Sequence, residues 1–151
     1  MGTFATGVTV VTTCHDDLFH GFTANSVTSV SLDPMLLLVC VDKGATAHAQ
    51  LKSASTFGVS MLGAAQQEIS NLFAQTSEPE LGGLRGIDYH LGPYGAPLLA
   101  GSIACVECRV KEALDGGDHT IFIGEVLGGE ILSDDAPLLY FRGSYRQLAE
   151  G

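Results

Sequence analysis

The sequence predicts a mainly β fold, a closed or split β-barrel with a few short helices. Short runs of β-branched and aromatic residues recur along the whole chain, separated by clusters of turn residues. Glycine fills 19 of 151 positions, well above the ordinary share of roughly 7%. Only two segments carry helical spacing, and both are short, which argues against a repeated βαβ order.

Taken in order, Val8 to Thr13 is a β-branched run, and Leu18 to Ala24 returns after the polar turn Cys14-His15-Asp16-Asp17. Val27 to Leu32 follows and stops at Asp33-Pro34. Met35 to Val41 is almost unbroken in its apolar character, as suits a strand buried on both faces. Thr46 to Ser53 reads as a short helix and Thr56 to Leu62 as strand. Ala64 to Ala74 is a second helix, because Ile69, Leu72 and Phe73 fall on one stripe. Residues 75 to 97 are rich in Gly, Pro and charge and read as a long surface excursion. Ser102 to Leu114, the turn Asp115-Gly116-Gly117-Asp118, and His119 to Leu127 form a hairpin. Leu138 to Arg142 is the last strand. Neither a repeat nor a domain boundary is visible, so residues 1–151 are read as one domain.

Charge narrows the function. The net charge of −10, from 17 acidic and 7 basic side chains, repels phosphate backbones and argues against nucleic-acid binding. A phosphate-bearing ligand must be held locally, by backbone N–H groups, hydroxyls and a few cations. No apolar run approaches the ~18 residues of a membrane span, and no signal peptide is visible. The cysteines Cys14, Cys40, Cys105 and Cys108 lie in or beside strand-like segments, which suits reduced thiols and a cytoplasmic setting.

The most informative stretch runs from Gly21 to Pro34. Thr23, Asn25, Ser26, Thr28, Ser29 and Ser31 each bring a small hydroxyl or an amide. Such a stretch is either a polar edge strand with a turn or the lining of a polar pocket. A flavin needs such a lining, because its pyrimidine edge alternates donors and acceptors and its ribityl chain carries hydroxyls.

Five segments in order carry a resemblance. They are Phe4-Ala5-Thr6-Gly7-Val8-Thr9-Val10-Val11-Thr12, the Thr23 to Ser31 stretch ending in Asp33-Pro34, Ser55-Thr56-Phe57-Gly58-Val59-Ser60, Gly117 to Val126, and Pro137 to Tyr145. Together, from residue 4 to about residue 148, they resemble the flavin reductase-like family of FMN-binding split barrels. Members usually begin with a helix before the Phe-Ala-Thr-Gly strand, and by this resemblance the chain is expected to start inside that helix's last turn, without the rest of it.

The resemblance implies roles residue by residue. Thr23, Asn25 and Ser26 would meet the isoalloxazine edge and ribityl chain. Cys40, Val41 and Asp42 would border the same pocket. Lys43, Thr46 and Ala47 would open a helix whose free N–H groups take phosphate. Leu72 and Phe73 would pack on the cofactor, and as core-stripe residues they look the same in sequence. Asp118 and His119 match the family's Gly-Asp-His strand, where the histidine faces the flavin and serves nicotinamide binding or protonation; a His after a Gly-Gly-Asp turn is otherwise a turn residue. Arg142 and Tyr145 would lie near the nicotinamide nucleotide, the Arg pairing with pyrophosphate and the Tyr stacking.

Cys105-Val106-Glu107-Cys108 invites a metal reading, but a single pair lacks the usual four ligands. Strand positions three apart also face opposite ways, so these are read as structural thiols and no metal is expected. His15, His20, His48 and His90 show no ligand spacing and read as turn or surface residues. There is no G-x-G-x-x-G after a strand, so no separate nicotinamide domain is expected. The implied activity is an NAD(P)H-dependent flavin reductase, taking FMN or FAD and NADH or NADPH, working as a homodimer and passing reduced flavin to a monooxygenase. The rival readings are a flavin-binding module without useful turnover, or a reductase of a ferric or haem substrate on the same barrel.

Overall fold

β-Branched runs become strands wherever the sequence places them, and the computed structural model, which describes residues 1–150, adds several short ones. In chain order these are β1 (Thr6–Gly7), β2 (Thr9–His15), β3 (Leu18–Ala24), β4 (Val27–Leu32) and β5 (Met35–Asp42). Helix α1 (Thr46–Ser53), β6 (Thr56–Met61) and, after a 3-10 turn, helix α2 (Gln67–Ala74) follow. Then come β7 (Glu80–Leu81), β8 (Tyr89–Leu91), β9 (Pro97–Leu99), β10 (Ala104–Gly116), β11 (His119–Ile131), β12 (Leu139–Phe141) and β13 (Ser144–Arg146). Phe4 N–H donates to the Met1 carbonyl at 2.9 Å, so the segment ahead of β1 is a turn.

Eight strands form one antiparallel sheet in the order β4-β5-β11-β10-β6-β2-β3-β7. Its end strands β4 and β7 do not pair with each other, so the barrel is split. Small sheets β1-β12-β13 and β8-β9 cover its flanks.

Alternation along β2 and β3 divides the core. Val11 and Ala24 join Val39, Phe57, Cys108 and Phe122 in one cluster, into which α1 sends Ala47 and Leu51. Val8, Val10 and Phe19 face the other way, against Phe73 of α2 with Leu62 and Leu138. Glycines permit close packing at two points in the barrel wall. A Cβ on Gly58 would stand 2.6 Å from the Pro97 carbonyl oxygen, and one on Gly124 would stand 2.6 Å from the Phe57 ring.

Several expectations need adjusting. The excursion over residues 75 to 97 contains β7 and β8 and reaches into β9, too short to show alternation in sequence. In the β10–β11 hairpin, β10 begins and ends two residues later than expected and β11 runs on past Leu127 to Ile131, with register shifts at Glu107/Cys108 and Val110/Glu112. Cys105 and Cys108 do face opposite ways. Cys108 packs in the first cluster, where burial pushes its thiol up to about 12, while Cys105 Sγ reaches Ser60 Oγ at 3.6 Å. No helix among the described residues is long and apolar enough to cross a membrane.

Candidate functional site

Between the end of β3, the end of β5 and the end of α2 lies an open cleft of about 370 Å³. The sheet order explains its composition. β5 pairs with β11, which sets Asp42 opposite His119, and β4 pairs back on β5 through Ser26 and Cys40. Residues distant in sequence therefore share one rim.

The first wall is the β3–β4 crossing. Ser26 Oγ donates to the Cys40 carbonyl at 2.9 Å, and Cys40 N–H donates to the Ser26 carbonyl at 3.1 Å. Asn25 is exposed, and its carboxamide has no hydrogen-bond partner among the described residues. Thr23 turns its hydroxyl to the Ser70 carbonyl of α2 at 2.6 Å.

The second wall is the turn from β5 into α1. Asp42 Oδ1 accepts Gly44 N–H at 2.7 Å, and Ala45 N–H donates to the Asp42 carbonyl at 3.1 Å. Ala45 occupies the cap position of α1 and has no side chain able to satisfy the first-turn N–H groups. Gly44, Ala45, Thr46 and Ala47 all line the cleft, so an uncapped helix start with its positive dipole end faces it.

Phe73 and residues 74 to 77 make the third wall, and His119 stands on the rim. His119 Nδ1–H donates to Asp118 Oδ1 at 2.7 Å; this hydrogen bond and the charge of the ring hold the Asp118 carboxyl below the usual carboxylate range. The same turn is tied to the α1 entry. Lys43 N–H donates to the Asp118 carbonyl at 2.9 Å, and the Lys43 ammonium pairs with the Asp115 carboxylate. The site thus offers hydroxyl and amide groups, free backbone donors, and the His119 imidazole bonded to Asp118.

Of the residues singled out in the sequence, Thr23, Asn25, Ser26, Cys40, Val41, Asp42, Thr46, Ala47, Phe73 and His119 line the cleft together. The others stand outside the lining. Lys43 and Asp118 brace it from behind, as described. Leu72 is half-buried, and its carbonyl accepts Arg85 Nη1–H at 2.6 Å. Tyr145 packs edge-on against Tyr140 and its hydroxyl lies 2.7 Å from Ser70 Oγ, behind α2. Arg142 is exposed in a turn at φ 51°, its guanidinium 5.0 Å from the centre of the Phe141 ring.

Two histidines read as turn or surface residues are neither. His20 is buried in β3, lines the cleft and donates from Nε2 to the Ser77 carbonyl at 3.2 Å. His48 of α1 is half-buried, with Nε2 2.7 Å from Thr120 Oγ1 and its ring edge-on to Phe122. Burial lowers the pKa of both. The period-2 series His20, Phe22, Ala24 was the signal for the first, since it shares a strand face with core residues. Gln75, Thr76 and Ser77 also line the cleft, and nothing in their sequence distinguishes them from an ordinary loop.

Comparison with known proteins agrees with this geometry. The description "Flavin reductase like domain" matches residues 1–149. An NADH-dependent FAD reductase of Streptomyces globisporus is 43% identical over 98% of this chain and 82% of its own length. Its structure in complex with NAD and FAD fragments superposes with a TM-score of 0.91, over 98% of this chain and 88% of that one. The reductase subunit HsaB of a flavin-dependent monooxygenase from Mycobacterium tuberculosis is 37% identical over 96% of this chain and 77% of its own length. On this ground, a match over nearly the whole chain with a split barrel and a polar cleft to fit, the protein belongs to the flavin reductase-like domain family.

Proposed function

We propose that this protein is an NAD(P)H:flavin oxidoreductase that reduces FMN or FAD in the cleft and releases reduced flavin to a monooxygenase component. The observation that carries the reading is the convergence in one open cleft of an uncapped helix start, an unpartnered Asn25 amide and an Asp118-bound His119. These suit the phosphate, the pyrimidine edge and the reactive face of a flavin in turn. A second ligand can approach because the cleft is open, and the S. globisporus relative has been seen with both NAD and FAD fragments.

The overall exchange is NAD(P)H, a proton and oxidised flavin giving NAD(P)⁺ and reduced flavin. Bound flavin supplies the hydride acceptor. The chain supplies position and electrostatics: Asn25, Ser26 and the start of α1 bind and orient. Asp118 fixes the tautomer of His119, so that Nε2 is the nitrogen left to meet the nicotinamide carboxamide or a proton.

The proposal includes a homodimer. A broad groove of about 800 Å³, lined by Met1, Phe4, Val27 and Met61 among others, shares Asn25 and Ser26 with the cleft. A second copy on this groove would cover the exposed Phe4 and complete the cleft's outer side. Titration with FMN and with FAD, followed by visible absorbance and flavin fluorescence, tests the reading. Saturable binding of at least one flavin is expected, and no binding of either would overturn it.

A further inference from the structure

We infer that His20 is a positioning residue, whose bond to the Ser77 carbonyl fixes residues 75–77 as the third wall of the flavin cleft. This rests on the flavin reading above. The segment after α2 has little else to hold it. Gln75 N–H caps α2 through the Leu72 carbonyl at 3.3 Å, and the next regular pairing is Phe19 with Glu80 in β7. Over the intervening residues 76–79 the backbone is neither helix, strand nor turn, and Thr76 and Glu78 are exposed. The bond from His20 Nε2–H, 3.2 Å long and spanning 57 positions in sequence, is the one hydrogen bond that the structure gives those residues.

His20 suits this task because its own place is fixed. It pairs with Thr13 in the β2–β3 ladder and is only 6% exposed. A donor on a rigid strand thus reaches across to an irregular segment and sets its distance from the opposite wall, the α1 entry. A ligand gripped between those walls loses contact on one side when the tie is cut. The neutral ring, favoured by burial, keeps its proton on Nε2 to make the bond.

The test compares His20→Leu with His20→Gln, whose amide can return a donor near the position of Nε2. In His20→Leu the flavin Kd is expected to rise by about tenfold or more, with kcat at saturating flavin and NADH within about threefold of wild type. His20→Gln is expected to restore most of the affinity. Independently of any ligand, hydrogen exchange at the Gln75 amide, bonded to the Leu72 carbonyl where the segment begins, is expected to accelerate in His20→Leu and not in His20→Gln. Unchanged exchange would show that His20 does not hold the segment. Faster exchange with unchanged flavin affinity would show that the segment is no wall of the site. If His20→Leu fails to fold, the double variant Thr76→Gly and Ser77→Gly loosens the segment from outside the barrel. It must weaken flavin binding comparably, and unaltered affinity there overturns the inference. Failure of the wild-type protein to bind flavin would sink the flavin reading instead, while the exchange rates still decide the anchor.

Discussion

Asn25 and Ser26 stand where the cleft meets the neighbouring groove, and they contribute in different ways. Asn25 offers a free amide, while Ser26 joins the start of β4 to the end of β5 through the Cys40 carbonyl. Replacing both with Ala is expected to weaken flavin binding at least tenfold, about 1.4 kcal/mol, because buried polar groups of the ligand lose partners. Equilibrium fluorescence titration of the folded double variant reads this. The buried histidines give a second expectation. His20 and His48 have folded pKa values lowered from 6.5, so the unfolded chain takes up protons first as pH falls through that value. Their destabilising effect is absent well above pH 6.5, grows below it, and levels off once the folded pKa is passed. Urea denaturation at neutral and mildly acidic pH is expected to give lower stability in acid, with a flatter profile when both are Gln. At this scale the polar stretch holding Thr23, Asn25 and Ser26 was legible in the residues themselves, whereas Cys40 to Asp42, which line the same cleft, were implied by the resemblance. His20 was not legible, since a histidine between Phe19 and Gly21 looks polar until strand alternation places it in the interior. Tyr145 and Arg142 were assigned by resemblance alone, and packing turns Tyr145 toward Ser70 behind α2.

Among elements, the β6 strand shows how tightly the barrel wall and the flanking β8–β9 ribbon are pressed together. Gly58 leaves no room for a methyl group, with the Pro97 carbonyl 2.6 Å and Thr12 Oγ1 2.7 Å from where a Cβ would lie. Gly58→Ala is expected to cost about 1–3 kcal/mol of stability through overpacking. The check is its denaturation midpoint at an unchanged m-value. Strand and helix order was readable because Val, Ile and Thr runs alternate with clear turn signals, and the β10–β11 hairpin was marked by its Asp-Gly-Gly-Asp turn. Strands β7, β8 and β9 were not readable. Two or three residues carry no period; β7 forms on the edge of β3, and β8 and β9 pair with each other.

On the scale of the whole molecule, the proposed dimer rests on the open groove beside the cleft. The sequence alone implies many strands, but not that β10 and β11 lie between β6 and β5, since that order depends on long-range pairing. A dimer at micromolar concentration is expected by light scattering, because the groove bearing Met1, Phe4 and Val27 borders the cleft itself. A monomer that still binds flavin tightly would separate the groove from the site. The central claim, that this cleft carries hydride from a nicotinamide to flavin beside His119, meets its most direct test in anaerobic stopped-flow mixing of flavin-loaded protein with NADH. The wild-type protein is expected to lose its oxidised-flavin absorbance, while His119→Ala keeps its flavin affinity but bleaches roughly ten- to a hundredfold more slowly at limiting NADH, ~1.4–2.7 kcal/mol at the transition state. A wild-type protein that stays yellow under NADH and NADPH alike, or a variant that bleaches at full rate, would contradict the account.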